Sequence, residues 1–310
     1  MNKGKFKAKH WLAAWLISTR SFAIPWVFFY TLFGALLAGV RDWVSAIGAG
    51  VVVVCVLLAS HFRNNYRDVE LGVDKYVENV EEAKKVISTI KPYSAAAWLV
   101  PLRITPIWFQ KANEGLFIAL SVVLYVLLVK PWLNPYTIPI YFLGIIVGLS
   151  YTDFFKRKGI GEVAAFLGHG WATTTFGYLS QSQGLITAIV AGIAPGLISA
   201  FAYSIDQYVD IKTDFVKRVR SVAEVWFNSK LPLGLYILAI YFAFLHLVTL
   251  LATLGIYPRS ILIVYVVMPV ILLTSARIEY SREKAIRDGV MILVILIPLL
   301  MCLGAAIPTT

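Results

Sequence analysis

Two sets of polar residues close two of the apolar stretches in this chain: Asn64, Asp68 and Asp74 follow one, and Asp206, Asp210 and Asp214 follow another. Carboxylates four residues apart return to one face of a helix, because four steps of about 100° nearly complete a turn while rising about 6 Å. Like charges stacked in this way repel by about 0.2–0.5 kcal/mol per pair, and a shared cation removes that cost. Asp74 follows Asp68 by six residues and would point about 120° away if the helix continued. Gly72 lies between them, and a glycine lets the chain leave the helix so that Asp74 turns back toward Asp68. Ligands that are all oxygen favour Mg²⁺ over zinc or copper. Mg²⁺ keeps several waters and binds through one or two carboxylates plus phosphate oxygens, so two facing sets of this kind describe a clamp for a diphosphate. The expected metal ligands are Asp68, Asp74, Asp206, Asp210 and Asp214. The competing reading makes them solvated helix-end acids paired with Arg63, Arg67, Lys212 and Arg218.

The elements that must hold these residues are membrane helices. The chain has 310 residues, 59% apolar and 15% charged, with a mean hydropathy of +0.76; soluble domains carry about 25% charge. Apolar runs near 20 residues fall at about 22–41, 44–62, 113–129, 135–152, 162–180, 184–204, 231–254, 259–276 and 289–307. The basic residues test that division, since segments kept in the cytoplasm retain Lys and Arg. With the N-terminus inside, 25 of the 28 basic residues fall on the inner side, leaving only Arg41, Lys130 and Arg259 outside. The expectation is an all-α polytopic membrane protein, one domain over 1–310. Nine transmembrane helices surround a central cavity under a cytoplasmic cap, with the C-terminus at Thr310 external. Both acidic sets then face the cytoplasm, where Mg²⁺ and soluble phosphorylated metabolites are found. The net charge of +11 is this inner-side excess together with affinity for the anionic lipid of a cell membrane, and does not indicate a nucleic-acid partner.

The first twenty residues, basic with Trp11, Leu12, Trp15 and Leu16 interleaved, read as an interfacial helix. The inner connections 63–112 and 205–230 are the long ones, and Val77 to Ile90 reads as a short solvated helix within the first. Trp98, Trp108 and Phe109 read as interfacial anchors, and Cys55 and Cys302, each inside a span, as packing residues. A lone histidine in a span, such as His169, is expected to pack and hydrogen-bond, and the same holds for His61 beside the first set.

The stretch from Asn64 to Asp68, with Gly72 and Asp74, resembles the first aspartate-rich motif of the UbiA superfamily of membrane prenyltransferases, in the form seen in dihydroxynaphthoate polyprenyltransferases. Asp206 to Asp214, followed by Lys217, Arg218, Ser221 and Ala223, is similar to the second motif. Tyr151-Thr152, Lys158 to Glu162 and Phe176-Gly177-Tyr178 are similar to the family's segment between spans four and five, and Thr19 to Phe22 to its entry to span one. Two positions depart from the pattern: Asn65 stands where Asp is frequent, and Asp206 where the naphthoate-type enzymes often have Asn. The resemblance implies Mg²⁺-dependent transfer of a polyprenyl group from polyprenyl diphosphate to an aromatic acceptor such as 1,4-dihydroxy-2-naphthoate, a step of menaquinone biosynthesis. Other acceptors within the same chemistry are hydroxybenzoate, haem, a tetrapyrrole or a geranylgeranylglyceryl phosphate. On this reading Asn64, Asp68, Tyr151 and Asp210 are catalytic. Tyr66 and Tyr203 join Asn64 and Tyr151 in sheltering an allylic cation, and Arg20, Arg67, Lys156, Lys158 and Lys217 surround the diphosphate. A membrane transporter is the alternative of a different class. Transporters hold their charges near the bilayer centre beside broken helices, whereas these acids lie at span ends.

Overall fold

In the computed structural model, residues 8–72, 74–89, 95–216, 233–278 and 283–308 are described, with the backbone alone at 8–10, 22, 86–87, 89, 206, 208–216, 233, 274–278 and 283–293. Helices dominate, and there is no strand among the described residues. Helix α1 (Ala8–Ser18), in the segment expected to lie at the interface, leads through a short turn into α2 (Ile24–Leu37). It leaves Leu12, Leu16 and Ile17 exposed and fixes its other side through Trp15 Nε1, which donates to Asn113 Oδ1 at 2.9 Å. The long helix α3 (Trp43–Glu70) follows, then the short solvated α4 (Val80–Thr89) and the single turn α5 (Ala95–Trp98). The α4 helix is somewhat shorter than the 77–90 expected because Asn79 caps it, its Oδ1 accepting from Glu82 N at 2.7 Å.

Among the described residues, five helical stretches are long and apolar enough to cross a membrane: Trp43–Glu70, Ile107–Val129, Thr137–Lys156, Leu185–Ile205 and Gly234–Thr253. Shorter apolar helices cover Ile24–Leu37, Arg259–Leu273 and Val294–Ala306, and a further stretch is helical from Gly161 to Leu179. In Ile107–Val129 and Thr137–Lys156 only 22% of residues are buried, so Leu116, Leu120, Leu127, Phe142 and Ile146 face outward. An apolar exterior of that extent is compatible with lipid and not with water. The chain is a multi-pass membrane protein.

Inside, Tyr30 and Phe33 of α2 pack with Phe201, Tyr241, Phe244 and Tyr257 from the second half. A second cluster stacks Tyr125 on Tyr141 with ring centroids 4.2 Å apart, against Phe176. Cys55 and Cys302 are buried free thiols within this packing, as their positions in spans predict. Gly177 lets its helix approach α2 closely: a Cβ there would fall 1.9 Å from the Thr31 carbonyl oxygen. Small residues at such crossings replace the hydrophobic drive that lipid does not supply.

Candidate active site

The first acidic set is positioned by the length of α3. Twenty-eight residues extend about 42 Å, well beyond the ~30 Å hydrocarbon core, so the last turns carry polar residues past the apolar run that ends near 62. Asp42 starts the helix, accepting from Val44 N at 2.9 Å. Gly72 ends it with φ +71°, its N–H donating to Val69 O at 3.1 Å while Leu71 N–H donates to Arg67 O at 2.9 Å. The chain then doubles back, and the Asp74 N–H donates to the Asp68 carbonyl at 2.9 Å. The turn expected from Gly72 therefore forms and holds residue 74 beside residue 68.

Facing this helix end is a π-helical turn, Tyr151–Lys156, which continues the helix Thr137–Ser150. Four of its side chains reach residues that matter. Thr152 Oγ1 donates to Asn64 Oδ1 at 2.5 Å. Asp153 accepts from Arg63 Nη2 at 2.8 Å through one oxygen and from Arg67 Nε at 2.8 Å through the other. Lys156 Nζ lies 2.9 Å from Asp68 Oδ2. The Tyr151 hydroxyl donates to the Tyr203 hydroxyl at 2.6 Å. A π-turn widens the helix by one residue, which rotates the following side chains relative to a continuous α-helix, and such turns recur at functional sites.

Asp68 is buried at 6% exposure, and only one of its oxygens has a hydrogen-bond partner; Oδ1 is buried with none. A buried carboxylate oxygen without a donor is costly unless something positive completes it. Asp68 Oδ1 is such a position and its chemistry suits a hard cation. Among the described residues, no three His, Cys, Asp or Glu side chains converge to hold a metal ion.

The second set lies on α6 (Ile193–Val216), whose backbone carries 206, 210 and 214 at the four-residue spacing of one helix face. Their side chains and Lys217 lie outside the described residues. Tyr203, one turn before residue 206, is tied to Tyr151, so α6 meets the π-turn just ahead of the second set. The start of the helix at Gly161 presses on the same tyrosine: a Cβ on Gly161 would lie 2.3 Å from the Tyr203 hydroxyl. Glu162 beside it is buried and accepts from Ser204 Oγ at 3.4 Å.

The expected diphosphate-binding cations are placed in different settings. Arg67 is held by Asp153 and, at 2.7 Å, by Glu70. Lys158 is exposed and has no ion-pair partner among the described residues. Arg20 adopts a left-handed backbone, φ 46°, a conformation costing a non-glycine residue about 1–2 kcal/mol. Its Nη2 donates to Asn65 Oδ1 at 3.3 Å. Tyr66 is buried with its hydroxyl donating to Glu114 Oε2 at 2.6 Å and Lys111 over its ring at 5.2 Å. His61 hydrogen-bonds the Thr19 carbonyl at 2.8 Å.

Several residues that shape the site were not singled out from the sequence. Glu114 accepts from both Arg63 and Tyr66, and buried Gln110 links Thr105, Ser18 and Asn65. The signal was present for Glu114 and Asp153: each is a lone acid at the edge of an apolar span, where an ionised group needs a partner. Arg63 and Arg67, the first-set partners in the competing reading, are bound to Asp153, Glu114 and Glu70, while Asp68 pairs with Lys156.

No protein-family model matches the chain, and no curated protein matches it in sequence. Its fold does match solved structures. One is a digeranylgeranylglyceryl phosphate synthase, with a TM-score of 0.61 and 15% identity over 95% of this chain and 98% of that one. Another is the apo form of a UbiA homolog from Aeropyrum pernix K1, with a TM-score of 0.65 and 17% identity over 91% of this chain and 96% of that one. The chain thus has the all-α membrane fold of these proteins over nearly its whole length.

Proposed function

We propose that this chain is a membrane prenyltransferase that moves a polyprenyl group from its diphosphate to a small nucleophilic acceptor. The observation that carries the reading is Asp68: a buried carboxylate with one oxygen on Lys156 and the other unfilled, beside a π-turn tied through Tyr151 to the helix of the second acidic set. The fold shared with the UbiA homolog and the synthase supports it.

The residues would hold Mg²⁺ through Asp68 and Asp74 from the first set and through Asp206, Asp210 and Asp214 from the second. When bound, Mg²⁺ neutralises charge on the departing pyrophosphate. The protein's own residues supply the rest. Lys158, Arg20 and Lys217 bind diphosphate oxygens, and Lys156 joins them when it leaves Asp68. The allylic C–O bond breaks with its electron pair going to pyrophosphate, and the tyrosines at 151 and 203 shelter the cation that remains. Asn64, oriented by Thr152, offers its amide dipole to the same cation. The acceptor's nucleophilic atom then forms the new bond, and its proton passes to the released pyrophosphate or to water.

For the acceptor we propose a dihydroxynaphthoate or related quinone precursor, on the motifs around Asn64 to Asp74 and Gly161-Glu162. A phosphoglyceryl ether is the second reading, favoured by the fold of the digeranylgeranylglyceryl phosphate synthase. Membranes carrying the protein, incubated with labelled geranylgeranyl diphosphate, Mg²⁺ and a panel of both acceptor types, decide between them by product mass. The first reading expects a prenylated naphthoate product that disappears with chelator and returns with Mg²⁺. Absence of any prenylated product across the panel, or indifference to chelator, would contradict the assignment.

A further inference from the structure

Lys156 occupies a position that a simple diphosphate ligand would not need. Its ammonium is bound to Asp68 at 2.9 Å, with the two side chains only 17% and 9% exposed, so the charges interact in a setting where water screens poorly. A divalent cation approaching Asp68 through Oδ1 therefore meets a positive charge already held on the same carboxylate. The other cations nearby cannot play this part: Arg63 and Arg67 are forked onto Asp153, Glu114 and Glu70. Lysine differs from them in having a flexible four-carbon stem and one compact charge, so it can change partner without moving the backbone. The backbone beneath it is fixed, since Tyr151, Thr152 and Asp153 of the same turn are each bonded to another helix.

We propose that Lys156 couples the two ligands of this site: it neutralises Asp68 until a diphosphate draws its ammonium away, so that divalent cation and diphosphate bind together and each binds poorly alone. The inference rests on the metal-diphosphate reading of Asp68 given above. Coupling of this kind is reciprocal, so diphosphate tightens the cation by the same factor as the cation tightens diphosphate. The consequence is protective. An acidic pair at a membrane surface that took up Mg²⁺ by itself would be filled without substrate, whereas this site loads only with the diphosphate that it is to cleave.

The test uses the full chain in lipid nanodiscs, with Mn²⁺ as the probe metal and inorganic pyrophosphate as the probe diphosphate. Free Mn²⁺ is read by electron paramagnetic resonance, and the manganese-pyrophosphate complex formed in solution is accounted for separately. In the wild type, pyrophosphate is expected to tighten Mn²⁺ about tenfold or more. In Lys156→Met, Mn²⁺ alone should bind about fivefold tighter than in the wild type, and the enhancement by pyrophosphate should shrink by about the same factor, leaving only what direct phosphate ligation of the metal supplies. Lys156→Arg, which keeps the charge, should keep Mn²⁺ alone weak. Wild-type affinity for Mn²⁺ in Lys156→Met, or an undiminished enhancement, overturns the coupling. So does a wild type in which pyrophosphate leaves Mn²⁺ affinity unchanged, a result that stands even if the Met variant does not fold. Asp68→Asn separates the two levels: if it abolishes Mn²⁺ binding while Lys156→Met changes nothing, the coupling alone fails. If Asp68→Asn leaves Mn²⁺ binding untouched with and without pyrophosphate, the proposed function fails with it.

Discussion

Asp153 on the π-turn and Asp68 in the last turns of α3 have opposite fates. Asp153 has both oxygens filled by guanidinium groups, which are in turn held by Glu114 and Glu70, so its charge is consumed in joining α3 to the π-turn. Asp68 is more deeply buried and has a single lysine on one oxygen and no donor on the other. On the proposed function, the difference separates an acid that builds the site from an acid that works in it. Completed pairs of charge make a scaffold; an incomplete one, kept in place by that scaffold, is where a ligand has something to gain.

The comparison can be broken from either side. The largest effect is expected on the working side. Asp68→Asn, and Asp210→Asn from the partner set, should each lower prenyl transfer by about 10²–10³-fold or more while the protein still elutes as a folded species in detergent. Substantial turnover in both variants would show that the acids are not the catalytic pair. On the scaffold side, Asp153→Ala takes one partner from each of Arg63 and Arg67, leaving them Glu114 and Glu70, and a loss of about 1–3 kcal/mol in thermal or denaturant stability is expected. That figure is held down because Asp153 is about a quarter exposed. The residual activity of the folded fraction should exceed that of Asp68→Asn, and the reverse order of activities would erase the distinction between the two aspartates. The smallest effect belongs to the turn that brings residue 74 back. Gly72→Ala places a side chain at φ +71° at a cost of about 1–2 kcal/mol in local stability. Metal affinity should weaken with little change in overall melting, and an unchanged Mn²⁺ titration would remove Asp74 from the site.

Much of this arrangement could be read from residue order. The apolar runs predicted the helical stretches because a bilayer-sized helix needs a continuous apolar surface. The Gly72 turn followed from the conflict between a six-residue spacing and a helical period. What the sequence could not supply was the partner of each charge. The run from Arg63 to Asp74 holds four ionic residues besides Asp68, and nothing in their order says that Arg63 and Arg67 reach across to Asp153 while Lys156 takes Asp68. Those assignments depend on how far the π-turn rotates the residues after Tyr151, and a single extra residue per turn leaves no mark in an apolar period. For the same reason Arg67 and Lys156, alike in the sequence as basic residues near an acidic set, are distinct in the fold.

The central claim is that Asp68 and the acids of α6 meet around one diphosphate, and the most direct measurement is an experimental structure with Mn²⁺ and a thiolodiphosphate analogue of geranylgeranyl diphosphate. The account predicts anomalous density about 2.0–2.2 Å from Asp68 Oδ1, a diphosphate bridging to Asp210, and Lys156 turned from the carboxylate to the phosphate. Asp68 and Asp210 opening into separate solvent regions, with no diphosphate between them, would contradict it.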